Sequence, residues 1–198
     1  MDLADYNAAL RMFEEECSLV DVAEALYRSG TVSTFFEDSR ERGLGQLLRS
    51  LAIFRELGEA RKELETRMWL AQGFQCCGLM SEATREYSEV LEKGGKMGLF
   101  NSMAHGCWQL SNIYSHRGKL EKALSIALKE FELCNKMDSS YRKGVACAQL
   151  AYLYSLSGKL EEADKYFNIL SKLLPTDVLS NEMHGFCSFL GVYFFAKG

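Results

Sequence analysis

The chain has 198 residues, 47% of them hydrophobic and 25% charged, with a net charge of −4. That balance is ordinary for a folded, water-exposed protein. It carries no Lys/Arg block, which excludes the electrostatic footprint of direct nucleic-acid binding. A single proline favours long helices, because proline removes a helix hydrogen bond.

The first apolar-periodic stretch is Ala4–Glu16, "ADYNAALRMFEEE", which reads as a helix with Ala9 and Phe13 on one face. It lacks the basic-then-apolar layout of a signal peptide. Ala25–Asp38, "ALYRSGTVSTFFED", is a poor helix, because Thr31, Ser33 and Thr34 lower helix propensity. Arg49–Glu59, "RSLAIFRELGE", reads as a helix again.

From here the chain repeats. "GLMSEATREY" from Gly78, "GKLEKALSIA" from Gly118 and "GKLEEADKYF" from Gly158 are spaced 40 apart. The same period aligns Leu70, Leu110 and Leu150. It aligns Ala71, Ser111 and Ala151, then Phe74, Tyr114 and Tyr154, then Ala83, Ala123 and Ala163, and finally Leu57, Met97 and Met137. Each unit reads as two helices broken by its glycine. The small columns mark where the two helices approach closely, and the large ones fill the space a turn away. Asp138, Ser139 and Ser140 are candidate N-caps.

The pattern L-A-x-x-F/Y, glycine, A-x-x-x-F/Y resembles the tetratricopeptide repeat (TPR). One unit carries it on Leu70, Phe74, Gly78, Ala83 and Tyr87. The next carries it on Leu110, Tyr114, Gly118 and Ala123, with Ala127 where a large residue is usual. The third has Leu150, Tyr154, Gly158, Ala163, Phe167 and Pro175. The 40-residue unit resembles long-helix variants of that family. The resemblance implies an all-α TPR-like superhelix, a solenoid of antiparallel helix pairs, over 1–198. Degenerate units occupy 1–58 and regular units about 59–98, 99–138 and 139–178. Residues 179–198 form a truncated last unit, with Leu190, Gly191, Phe194 and Gly198 in the leucine, small, aromatic and turn columns. The ending is thus neither a membrane segment nor a tail: Phe186–Ala196 is about half of the roughly 20 residues that span a bilayer. The chain is expected to be a fragment of a longer protein. Its open end, Phe189, Tyr193, Phe194 and Phe195, is expected to self-associate.

Seven cysteines without a CxxC pair suit a reducing, cytoplasmic setting. Cys107, Cys147 and Cys187 form one column. Equivalent positions in stacked repeats lie roughly 8–10 Å apart, too far for a disulfide or one zinc ion, so they read as packing residues. His105, His116 and His184 belong to no metal-binding pair. "GK" at Gly118–Lys119 and Gly158–Lys159 lacks the context of a phosphate loop. No nucleophile–base constellation is present, so an enzyme is not expected, and no cofactor is implied.

The resemblance also implies a concave face lined by the first helices. One ladder is Gln72, Asn112, Tyr152 and Val192; a second is Gln75, Ser115, Ser155 and Phe195. Met68 and Trp108 form a third edge, with Trp69, Gln109 and Gln149 beside it. Amides and hydroxyls there would pair with a peptide backbone, and Trp108 would anchor an apolar side chain. The chaperone-binding subclass grips a terminal carboxylate with basic residues. Met68, Trp108 and Ala148 stand at those places, so that function is not expected. The expected function is a protein- or peptide-binding scaffold. The alternative is an effector-sensing module of a prokaryotic signalling or transcription regulator.

Overall fold

A three-residue turn sets the architecture. At Gly78, φ is +75°, a conformation that glycine adopts without strain. The Leu79 N–H donates to Phe74 O at 2.9 Å, and the Gly78 N–H to Gln75 O at 3.0 Å. This is a Schellman closure, which satisfies carbonyls that a helix end leaves open. Leu79 follows at φ −80°, ψ 65°, and the Met80 N–H reaches back to Gly78 O at 2.9 Å. That inverse γ-turn delivers the chain straight into the next helix.

The structure, a computed structural model, describes residues 18–137, 139–173 and 184–197, and of 184–190 the backbone alone. Among the described residues it is all-α, with helices packed in adjacent pairs. They are α1 (Leu19–Ser33), α2 (Arg40–Glu56), α3 (Ala60–Cys76), α4 (Met80–Lys93), α5 (Phe100–His116), α6 (Leu120–Asn135), α7 (Ser140–Leu156), α8 (Leu160–Leu173) and α9 (His184–Lys197). Short 3-10 turns occupy Glu37–Ser39 and Gly94–Met97. Two compact units result, Met1–Met97 and Gly98–Gly198. In the first, α1 pairs with α2 and α3 with α4; in the second, α5 pairs with α6, α7 with α8, and α9 lies mainly against α7.

The turn glycines recur at half the sequence period. Gly58, Gly78, Gly98, Gly118 and Gly158 all have positive φ. Junctions between pairs therefore use the same left-handed glycine as junctions within pairs. At Gly58 the full set of bonds repeats: Glu59 N–H to Phe54 O and Ala60 N–H to Gly58 O. Position 138, the missing member of the series, lies outside the described residues, as do Ala4–Glu16 and Pro175. Ser139 does cap α7, its hydroxyl accepting from the Arg142 N–H at 3.3 Å.

The small columns are where the helices touch. Ala71, Ser111, Ala151, Ala83, Ala123 and Ala163 are all fully buried. Ser111 shows the contact directly, donating its hydroxyl to Ala123 O on the partner helix at 2.9 Å. In α9 the same column holds Gly191, and a Cβ added there would meet nothing within 4 Å. No second helix for α9 is among the described residues.

The first pair corrects the sequence reading. Thr31 and Ser33 lie inside α1, which begins at the Ser18 cap and runs through Ser33. Packing overrides propensity here. A Cβ on Gly43 would lie 2.8 Å from Thr34 N and 2.9 Å from Gly30 O, so α1 and α2 approach backbone to backbone. Ser50 of α2 donates to Ala23 O of α1 at 2.8 Å. Thr31 and Thr34 turn their hydroxyls onto Tyr27 O and Thr31 O, so their polarity is absorbed locally. Gly43 stands 40 residues before Ala83: the column changes residue but keeps its rule of smallness.

Two substitutions in α2 separate these effects. Gly43→Ala should destabilise the protein by about 1–3 kcal/mol, because its methyl meets backbone atoms that cannot move aside. Gly45→Ala, with nothing within 4 Å, should stabilise by up to about 1 kcal/mol through helix propensity alone. Urea midpoints of the two variants check the opposite signs.

Candidate functional site

The first helices carry the predicted binding face, and each unit is best read by itself. In the second unit Gln149 of α7 is fully buried. Its amide nitrogen donates to Trp108 O at 3.1 Å and to Asn112 Oδ1 at 2.9 Å, both on α5. The buried amide thus fastens two neighbouring first helices. The Asn112 Oδ1 is thereby committed within the pair. Trp108 and Tyr152 are half-buried on the same pair of helices, as is Ser115.

Trp108 has a polar ring as its neighbour. His105 meets it edge-on at 5.7 Å between ring centres. Burial pushes the His105 imidazole down to about 4, with the Arg142 charge adding to the shift, so the ring is neutral at neutral pH. Its Nε2 lies 3.3 Å from the Gln109 amide nitrogen. The Trp108 indole Nε1 is buried without a hydrogen-bond partner, as is Gln149 Oε1.

Four predicted readers are closed to an incoming peptide. Met68, Gln109, Gln149 and Ser155 are buried. Gln149 is a positioning residue, and the Ser155 hydroxyl donates to Ala151 O of its own helix at 2.7 Å. The polar three, Gln109, Gln149 and Ser155, each take an internal partner, whereas Met68 joins the buried apolar side chains.

In the first unit Gln72 and Gln75 have a structural task. The Tyr87 hydroxyl donates to Gln75 Oε1 at 3.0 Å and to Gln72 Oε1 at 3.3 Å. Tyr87 is fully buried and needs such partners. Burial pushes its phenol well above the ordinary range. The sequence held a signal for this. Forty residues on, Asn112 and Ser115 coincide with Ala127, and eighty on, Tyr152 and Ser155 coincide with Phe167. The paired glutamines occur only where the large column carries a hydroxyl. Trp69 meets Phe35 edge-on at 5.9 Å.

The same unit buries an ion pair that the repeat pattern did not announce. Arg67 and Glu86 are both at least nine-tenths buried and hydrogen-bonded to each other. Glu63 adds a bond to Arg67 at 2.9 Å and Arg85 one to Glu86 at 2.9 Å. Arg67 stands 40 residues before Cys107, in the column that holds Cys107 and Cys147. Both of those thiols are buried packing residues, as the sequence predicts.

At α9, Tyr193 is buried rather than presented. Its hydroxyl donates to Asp164 Oδ1 at 2.7 Å and its ring stacks on Phe167 at 4.5 Å. Phe194 is 54% exposed and Phe195 88% exposed. The Phe189 side chain lies outside the described residues. An open concavity of about 610 Å³ lies away from the predicted face, lined by Leu124, Leu128, Lys129 and Glu132 of α6 with Tyr154 and Lys159. No described helix is long and apolar enough to cross a membrane.

No family model matches the chain, and no curated protein matches it. Solved structures do. TPR-like repeats of a Podosopora anserina protein described as a kinesin light chain superpose with a TM-score of 0.66 at 17% identity, covering 91% of this chain and 92% of that one. A single-substitution variant of the same repeats gives 0.68 at 14% identity, covering 91% and 87%. BtubC (BKLC) from P. vanneervenii gives 0.54 at 14% identity, covering 92% and 88%. The fold is that of TPR-like helical repeats.

The Tyr87 clamp is open to a direct check. Tyr87→Phe should cost about 1 kcal/mol of stability. Combined with Gln75→Leu it should cost less than the sum of the two single changes, measured as a double-mutant cycle in urea.

Proposed function

We propose that the chain is a protein- or peptide-binding repeat scaffold, with its binding face on α5 and α7. The observation that carries the reading is the buried Gln149 amide. It fixes Asn112 between two adjacent first helices and leaves the half-buried Trp108 and Tyr152 beside it. A preformed amide flanked by aromatic rings suits an extended segment that offers a backbone carbonyl and an apolar side chain. Preorganisation of this kind lowers the ordering cost of association. Trp108 and Ala148 supply no charge for a terminal carboxylate, so an internal stretch of a partner fits better than its end. TPR-like repeats are scaffolds in the general case, and that role is what their likeness to this chain supports.

An array of extended peptides read with the purified protein tests the proposal. Asn112→Ala and Tyr152→Ala should each weaken the captured peptides about tenfold while the circular dichroism spectrum stays helical. Affinities unmoved by both changes would place binding elsewhere.

Self-association has a narrower basis. Phe194 and Phe195 present apolar surface on α9, and Tyr193 contributes none. If copies pair there, Phe195→Asp should convert a dimer seen by light scattering to a monomer. A wild type that is already monomeric at high concentration removes the idea.

A further inference from the structure

An acid occupies a core position of the second unit. Glu130 on α6 is 1% exposed, and its Oε2 has no hydrogen-bond partner. The positions 40 residues to either side are Val90 and Leu170, both buried. The repeat therefore places hydrocarbon at this point, and of the three positions only the one on α6 replaces it with a carboxyl group. Each packed helix supplies mostly neutral neighbours: Cys107 from α5, Cys147 from α7 and Cys134 from α6 itself. Burial pushes these thiols up to about 12, 12 and 11, so none is charged near neutral pH. The cation that acts on Glu130 is Arg142, in the first turn of α7. Lys129 and Lys143 act on the neighbouring thiols.

We propose that Glu130 is a pH-sensitive latch of the second unit. As the neutral acid it lets α6 seat between α5 and α7; as the carboxylate it loosens that seat toward Arg142 and water. An unpaired ionised carboxylate at full burial is too costly to hold closed. Since α5 and α7 carry the proposed binding face, the latch would also govern that face. This consequence rests on the reading above, whereas the latch itself does not.

Burial pushes the Glu130 carboxyl from 4.5 up to about 8, against the pull of Arg142. The folded state then holds a proton that the unfolded state has lost, so stability falls as pH rises between those values. His105 acts with the opposite sign. Its imidazole is pushed from 6.5 down to about 4, so the unfolded state holds the extra proton and stability falls as pH drops below 6.5. From about pH 5 to 6.5 the two slopes cancel, and above 6.5 the Glu130 slope remains. The thiols add their own loss only above about pH 9.

The full chain carrying Trp69→Phe reports on the second unit through Trp108. Urea unfolding at about pH 5, 6.5 and 8 should give a folding equilibrium that is level over the first interval. It should then weaken about tenfold over the second. Glu130→Gln, neutral at every pH, should instead strengthen about 15-fold over the first interval and not weaken over the second. Glu130→Leu, the residue type of the sister position, should follow the same curve and serves if the Gln variant fails to fold. Infrared spectra should show a protonated carboxyl band at pH 6.5 that either substitution removes. A wild type that does not weaken between pH 6.5 and 8, a Gln or Leu variant that weakens as much, or the absence of that band would overturn the proposal.

Discussion

The length of chain between left-handed glycines governs this protein. A Schellman closure followed by an inverse γ-turn consumes three or four residues and reverses direction with its backbone bonds satisfied. The closure ends the helices before Gly58, Gly78, Gly118 and Gly158, and the helices of the regular pairs run 14–17 residues. Those helices are comparable in length, and within each pair the small column is buried. The small residues follow from that: with the turn this tight, only alanine, serine or glycine fits where the axes come closest.

This constraint explains what could be read in advance. The regular columns from Leu70 to Ala163 repeat because each position sees a translated copy of one environment. Smallness and apolar bulk are visible in single letters. The α1–α2 pair was harder, because its Gly43 obeys the rule through a different residue. Its Thr31 and Ser33 lower the local propensity that sequence reasoning weighs. Close backbone packing decided the matter, and such packing has no local signature.

The binding face divides along the same line. The family resemblance singled out a face, and of its residues Trp108, Asn112, Ser115 and Tyr152 are half-buried. Spacing does not reveal which amides turn inward. Gln149 and Asn112 look equivalent as letters, yet one is a buried fastener and the other is half-buried and accepts its bond. The fate of Gln72 and Gln75 depends on the hydroxyl of Tyr87, which belongs to a different helix. A polar side chain on a long helix is assigned by what lies across the pair. That partner comes from another column of the repeat.

The departures from the pattern are where the two units differ chemically. The first places Arg67 in the column of Cys107 and Cys147, and it neutralises the buried Glu86 with that guanidinium. Removing one member of such a pair leaves an uncompensated charge and costs about 3–5 kcal/mol, so the arrangement is self-enforcing whatever the pair contributes in net stability. The second unit keeps small thiols in that column, and its own buried acid, Glu130, gains no guanidinium at hydrogen-bond distance among the described residues. Neutralisation then has to come from a proton. One fold thus holds two solutions to burying a carboxyl: one pairs it with a guanidinium, and the other ties it to a proton. The regular columns make the scaffold, and these irregular ones decide how firmly each part of it is held.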